Sequence, residues 1–578
     1  MTALLVTCRL TAAVSPATLS RVTQGSSVFD GESRRAQMFP AFTADQIARV
    51  ASYGRERTFD DGHVLFERGA RGYPLYVVLE GELAVFHPRG ALEEPVTVHR
   101  HGEFTGEVSL LADRPTFVRG RARGQLRVIE VENARFRALL QTETEISEIV
   151  MRAYILRRLG LLSAGQGDVV LIGSQHSAET LRAQEFLVRN GHPYRYVDVD
   201  RDPDVQSLLD ARGVDVRDIP ILLCRDDRVL RNPSDAEIAE CLGLNAAIDP
   251  GTVHDVVICG AGPGGLAAAV YAGSEGLDVL VVEAGSPGGQ AASSSKIENY
   301  LGFPTGISGQ ALGGRALAQA EKFGARVLVT RGAVRLHCEE SPIRIDLAGG
   351  ESVRARAVVI ATGAEYRKLD VPGLARFEGA GVYYAATFVE AQRCGDGEVA
   401  VVGGGNSAGQ AATFLARTAK HVHVLIRGPD LSSSMSRYLI RRIEDAPNMT
   451  LHRRTRVVAL EGGDHLEKIT WEDDALGERT THAIRHLFSM TGAKPNSEWL
   501  RGCAALDEQG FVRTDADLTP AILAQENWPR SRAPYPFETS QPRVFAVGDV
   551  RAGSMKRVAS AVGEGSVCIQ LVHKALAE

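Results

Sequence analysis

The stretch Val256-Val257-Ile258-Cys259-Gly260-Ala261-Gly262-Pro263-Gly264-Gly265 decides the fold of the larger part of this chain. A short apolar run ends in a glycine turn, and an alanine-rich segment, Leu266-Ala267-Ala268-Ala269, follows it. The pattern reads as strand, tight turn and helix. In such a unit Gly260 makes the turn, Gly262 lets backbone approach a pyrophosphate, and Gly265 lets the helix pack closely on the strand. Unpaired amides and the positive end of the helix dipole then face the phosphates. The candidate residues here are Gly260, Gly262, Pro263, Gly264 and Gly265. The next strand, DVLVVEA, ends at Glu283, 23 residues after Gly260. A carboxylate there can take ribose hydroxyls, which fits the unphosphorylated adenosine end of FAD.

A second unit of this kind lies further on. Val399–Val402 leads into Gly403-Gly404-Gly405-Asn406-Ser407-Ala408, with Ala408 in the place of the last glycine. Its second strand, VHVLIR, finishes at Arg427, 24 residues after Gly403. A cation where the acid should stand suits a 2′-phosphate and favours NADPH over NADH, with Arg437, Arg441 and Arg442 near enough to assist. The plainer reading leaves Arg427 as a solvated strand end. Candidate residues of this second site are Gly403, Gly405, Asn406, Ser407, Ala408 and Arg427. One fold for FAD and one for NADPH imply hydride transfer from nicotinamide to flavin, the protein supplying position and exclusion.

The rest of the chain surrounds these units. Its 578 residues are too many for one core and suggest three to five domains. Hydrophobic residues at 44% and charged residues at 24% exclude a mainly disordered protein. A net charge of −6 argues against nucleic acid as a partner. The most apolar stretch, Val256–Gly273, is broken by glycines and a proline, so no membrane span is expected. Residues 1–37 read as a loosely ordered extension and a poor signal peptide, with Met38 as an alternative start. Eight cysteines, no two of them three residues apart, make neither a disulfide scaffold nor a zinc ribbon. Reduced thiols in a cytoplasm are the simple expectation. No metal is expected: His421, His423, His482 and His486 read as strand and surface residues.

Two blocks precede the dinucleotide units. Residues 38–164 carry a helix at Thr43–Tyr53, closely spaced strands with glycine turns (HVLFERG, YPLYVVLEGELAVF, VTVHRHGEF, LRVIEVE) and a closing helical stretch, Asn133–Leu162. This pattern suggests a small antiparallel barrel or jelly roll. Residues 167–245 alternate strand and helix: VVLIG, a helix stopped at Gly191, YRYVDVD, the helix PDVQSLLDARG, then IPILLC and RVL. The fold class is therefore multidomain: a β-barrel with helices, a small α/β domain, then two Rossmann-like α/β domains.

Residues 254–578 resemble the thioredoxin reductase family of flavoproteins. The matching motifs are GAGPGG (260–265), Gly288-Gly289-Gln290, IENYLGFP (297–304), ATGA (361–364), VVGGGNSA (401–408), GAKPN (492–496) and ETS…VFAVGDVR (538–551). The resemblance implies a homodimer and a nicotinamide domain that rotates relative to the flavin domain. It places the flavin domain at 254–365 and 489–578 and the NADPH domain, inserted into it, at 366–488. It adds Gly289, Gln290, Asn299, Thr362, Gly363, Gly548, Asp549, Arg557, Val558 and Ala559 to the expected cofactor-binding residues. Where the family carries its redox CxxC, this sequence reads Ala385-Ala386-Thr387-Phe388, so both sulfur positions, Ala385 and Phe388, are lost. Dithiol reduction needs an attacking and a resolving cysteine. Cys394, six residues past Phe388, reads as an ordinary cysteine.

The second block resembles a thioredoxin- or glutaredoxin-like domain with Ser174-Gln175-His176-Ser177 where CxxC would sit and Ile219-Pro220 at the cis-proline position. The first block resembles a cyclic nucleotide-binding domain in LYVVLEGELAV (75–85) and GEFTGEVSLLADRP (102–115). Gly106 and Glu107 match the ribose- and phosphate-holding pair, but Thr116 stands where the family's arginine is expected. Arg114 or Arg119 could substitute. A degenerate pocket used for packing is favoured, and a cyclic nucleotide or other small ligand stays open.

Three functions fit these readings. Reduced flavin passes electrons to an external acceptor such as oxygen, a quinone, a redox protein or a small organic molecule. Alternatively, the flavin core is a regulatory scaffold that senses NADPH or redox state. Last, the flavin reduces an exogenous disulfide directly. Intact nucleotide loops at both sites favour the first.

Overall fold

The structure is a computed structural model and describes residues 32–89, 92–112, 114–163, 169–201, 218–224, 228–294, 297, 299–378, 380–384, 386, 391, 394–395, 397–491 and 493–578. Three readings fall outside the described residues: residues 1–31 of the extension, the helix at 203–213, and the positions Ala385 and Phe388; residues 32–37 of that extension are helical instead, within Glu32–Met38.

In the first domain the strands Arg55–Phe59, Arg119–Val131, Leu75–Arg89 and Leu92–His99 pair antiparallel in that order, and Val64–Phe66 adds to Arg119–Val131. The opening helix, Ala44–Ala51, begins at Thr43, whose side chain and Gln46 form a capping box. The closing stretch is two helices rather than one. Asn133–Thr142 ends at Glu143, whose ψ of 85° is not helical, and α1 (Thr144–Ser163) starts beside it. Tyr154 of α1 is fully buried against Phe104 and Phe136 in the barrel core.

The second domain is a four-stranded sheet in the order Arg195–Asp198, Val170–Gly173, Ile221–Leu223, Val229–Arg231. The first pair is parallel and the other two are antiparallel. Helix α2 (Ala178–Arg189) follows the central strand, and the Ile219–Pro220 peptide is cis. The core of this domain includes Val329, which belongs to the flavin fold, so the two pack as one body of apolar side chains.

Two largely parallel sheets carry the remainder, beside a three-stranded antiparallel sheet (Thr455–Gly462, Leu466–Asp473, Glu478–His482) and a two-stranded one (Ala364–Tyr366 with Ala493–Pro495). In the first, β1 (Val253–Cys259) lies between β2 (Val279–Val282) and β3 (Ser352–Ile360). Helix α3 (Pro263–Ser274) follows β1 and α4 (Gly309–Lys322) follows β2. Strands β1 and β2 are buried almost throughout because helices and strands cover both faces. In the second sheet, β4 (Glu398–Val402) pairs with β5 (His421–Leu425) and with His486–Ser489, and α5 (Asn406–Leu415) follows β4. The chain then returns to the first sheet, where β6 (Val544–Ala546) pairs parallel with β3 and leads into α6 (Val558–Leu576).

The cysteines do not stay apart as reduced thiols. Cys224 and Cys241 form a disulfide within the second domain, and Cys338 and Cys503 form another in the flavin fold, with Cα–Cα distances of 6.0 and 5.8 Å. The second pair is 165 residues apart in sequence, so spacing alone could not reveal it. The remaining described cysteines, Cys259, Cys394 and Cys568, are buried and outside any disulfide.

Candidate cofactor cleft

The first glycine turn and the residues just after the second line one cleft of about 1110 Å³, while Gly403 and Gly405 are not on its wall. On the flavin side its wall includes Gly260, Gly262, Pro263, Gly264 and Glu283. Gly260 has φ +111°, and a Cβ there would collide with the Ala361 carbonyl. Gly265 lies behind the wall, where a Cβ would collide with the Gly260 carbonyl. Gly262, at the N-cap of α3, gives that helix no side-chain cap, so its first amides face the cleft. The residues present fit a bound pyrophosphate.

Glu283 sits just past the end of β2. Its carboxylate accepts hydrogen bonds from the Ala261 N–H (2.7 Å) and the Gly285 N–H (2.8 Å). Burial pushes its pKa above the usual range, against the pull of those amides and of the Arg189 guanidinium. Gly289, Gln290 and Asn299 line the cleft, as do Thr362, Gly363, Gly548, Asp549, Arg557 and Val558. Ala559 is exposed and takes no part in the wall. Thr362 and Asn496 tie the two crossings of the chain: Thr362 Oγ1 donates to the Asn496 carbonyl (2.6 Å) and Asn496 Nδ2 donates to the Thr362 carbonyl (3.0 Å). Burial also raises Asp549 and lowers Lys556, whose ammonium donates to the Asp549 carbonyl at 2.6 Å.

The second turn reaches the same cleft through Asn406 and Ser407 at the start of α5. Gly403 has φ +144° and packs on the Met490 carbonyl, while Gly405 is an N-cap without a side-chain hydrogen bond. Ala408 lies within α5 on its buried face. Arg427 is exposed, two residues past the end of β5, and is not on the cleft wall.

Sequence reasoning missed several polar groups at this cleft. Tyr384 and Lys368 are on its wall, and both bind Glu378: Tyr384 Oη donates at 2.6 Å and Lys368 Nζ at 2.9 Å. Burial and the Glu378 carboxylate raise the Tyr384 hydroxyl, so it stays a proton donor. The one available signal was the Tyr383-Tyr384 pair just before Ala385. The histidines also gather more than expected. His421, His423 and His482 cluster with His452 around Trp471, and His423 Nδ1 lies 3.0 Å from His452 Nε2. Burial lowers His452 to about 4, so the contact joins neutral rings. His486 is elsewhere, stacked on Tyr383.

The corresponding region of the first domain looks different. Gly106 has φ +99°, and its carbonyl accepts from Arg157 Nη1 at 2.7 Å. A Cβ at Gly106 would strike the Tyr154 hydroxyl. Glu107 is buried and paired with Arg158 at 3.3 Å. Arg114 does not turn toward Gly106 and Glu107: it pairs with Glu321 of α4 at 3.2 Å. Arg119 pairs with Glu67 (2.7 Å) and Glu93 (2.6 Å).

The pyridine nucleotide-disulphide oxidoreductase model matches residues 254–565. The chain belongs to that family. A cyclic nucleotide-binding domain matches residues 56–143. Within the family the chain is thioredoxin reductase-like. It is 32% identical to the thioredoxin reductase of Bacillus subtilis over 56% of this chain and 94% of that protein. It is 33% identical to the thioredoxin reductase of Mycolicibacterium smegmatis over 57% and 98%. Among solved structures, the thioredoxin reductase of Lactococcus lactis superposes with a TM-score of 0.50 at 27% identity, covering 56% of this chain and 99% of that one. The cofactors of the family's reductases, FAD and NADPH, are those expected from the two turns. No helix among the described residues is long and apolar enough to cross a membrane.

Proposed function

We propose that this chain is an FAD-dependent oxidoreductase that takes hydride from NADPH and passes the electrons to an external acceptor without a dithiol of its own at the flavin. One observation carries the reading: the first dinucleotide turn and the helix start after the second, at Asn406 and Ser407, line a single cleft, and no described cysteine lines it. FAD, when bound, supplies the two-electron chemistry. Pyrophosphate binds the uncapped N–H groups of Gly262 and Gly264, and Glu283 takes ribose hydroxyls. Asn406 and Ser407 hold the nicotinamide dinucleotide, and Arg427 selects its 2′-phosphate. Tyr384 holds a proton at its Oη beside the cleft, fixed by Glu378 and Lys368.

The free thiols do not suit a relay. Burial pushes Cys259 and Cys568 well above their ordinary range, which withholds the thiolate. The two disulfides lie outside the cleft wall. The sheet order and cis-proline of the second domain support a thioredoxin- or glutaredoxin-like fold without CxxC, and the paired Arg114 and Arg119 support a first domain whose pocket serves packing. The domain limits given above, the inserted NADPH domain, a homodimer and a cytoplasmic location complete the proposal.

Anaerobic stopped-flow mixing with NADPH tests it. The flavin absorbance is expected to bleach on the timescale of turnover, while reduction of thioredoxin stays at background. A flavin that does not bleach would favour a scaffold, and brisk thioredoxin turnover would refute the missing dithiol.

A further inference from the structure

Helix α2 belongs to the second domain, yet one stripe of it, Ala178, Leu181, Arg182, Glu185 and Arg189, forms a wall of the cofactor cleft. Their positions, 178, 181, 182, 185 and 189, share one helix face. Between Ala178 and Arg189 the helix rises about 16 Å, so it flanks a long part of the cleft. Its cations differ in what they meet. Arg182 is used inside its own domain, by Glu179 and Asp235. Arg189 reaches across to the flavin fold, where Nη2 donates to the carbonyls of Ser286 (3.3 Å) and Gly289 (3.0 Å). Its ion-pair partner among the described residues is Glu185 at 3.5 Å, and its Nε is buried without a hydrogen bond.

The loop that Arg189 holds is the segment between Glu283 and Gln290, next to the phosphate-binding turn. Gly289 packs on Gly262: a Cβ there would come within 2.9 Å of the Gly262 Cα. The neighbouring Asn190 fixes the same loop by donating from Nδ2 to Ser286 Oγ at 2.9 Å, with both residues buried. Two reciprocal bonds between Asn245 and Val329, at 2.9 and 2.8 Å, hold the domain in place from its other side. The field of Arg189 reaches Glu283, whose carboxyl it draws down against burial.

We infer that the second domain completes the FAD site, with Arg189 as a cation for the ribose–pyrophosphate half of the cofactor. The inference rests on the cleft being the FAD site. It gives the domain a role that needs no sulfur: it is a fixed wall that binds cofactor. A charge-assisted hydrogen bond in a partly buried site changes affinity by about tenfold or more.

Binding to the full-length apoprotein, followed by flavin fluorescence with FAD and with FMN, tests this. Arg189→Ala is expected to weaken FAD about tenfold, to leave the weaker binding of FMN unchanged and to lower the thermal midpoint of the apoprotein only slightly, by the loss of its two hydrogen bonds to the loop. Arg189→Lys should recover part of the loss. Unchanged FAD affinity would overturn the inference. So would an equal loss for FMN, since a loss that does not depend on the adenosine and second phosphate is the mark of a structural role. Wild-type apoprotein that binds neither flavin would instead refute the assignment of the cleft itself.

Discussion

Helices α2 and α3 border the same cleft and begin in opposite ways. At α2 the Ser177 hydroxyl accepts the Thr180 N–H at 3.3 Å, and Ser174 Oγ accepts the His176 N–H at 3.1 Å. The helix start satisfies its own amides. At α3 the cap is Gly262, which offers no side chain, and the amides are left facing the cleft. A helix start that closes on itself has become scaffold, and one that stays open needs a ligand to complete it. The same contrast separates the first domain from the flavin fold. The Gly106–Glu107 turn is met by Arg157, Arg158 and Tyr154 from its own chain.

The largest effect expected from this contrast is at Gly265. Gly265→Val would drive a side chain into the Gly260 carbonyl and push α3 off β1. Purified protein should carry at least tenfold less FAD, read from the flavin-to-protein absorbance ratio, for a packing conflict of roughly 1–3 kcal/mol plus the lost turn. Retention of full FAD content would show that the open start is not what holds the cofactor. Next comes Arg427→Ala. Loss of a cation for the 2′-phosphate should reduce kcat/KM for NADPH about tenfold and leave NADH nearly unchanged. Equal values for both nucleotides in the wild type would make Arg427 a solvated strand end. The smallest effect is at the closed start. Ser177→Ala should cost about 1 kcal/mol of stability in thermal or urea unfolding with no change in the rate of flavin reduction. A slowed reduction would mean that the closed helix still takes part in the chemistry.

Much of this was legible in the sequence because it is local. A strand, a glycine turn and a helix lie within one short stretch, and the steric need for glycine at 260 and 265 leaves few other residues possible. Glu283 was found because a strand end has a fixed place relative to the turn it follows. What escaped was long-range. Nothing near Arg189 in the chain points to Ser286, 97 residues on. The disulfide from Cys338 to Cys503 joins segments that only the folded sheet brings together. His452 joins the other histidines through the pairing of β5 with Met449–His452, where Leu425 lies opposite it. The split at Glu143 was hidden for a different reason: one residue with non-helical ψ leaves the apolar pattern on either side intact.

The central claim is that a flavin charged by NADPH has no disulfide of this chain to discharge into. Anaerobic titration of the full-length protein with NADPH, following flavin absorbance, tests it most directly. One equivalent per flavin should complete the bleaching, with Cys338→Ser leaving the endpoint unmoved. Uptake of a second equivalent, and its disappearance in the Cys338→Ser protein, would show that a sulfur pair accepts the electrons after all.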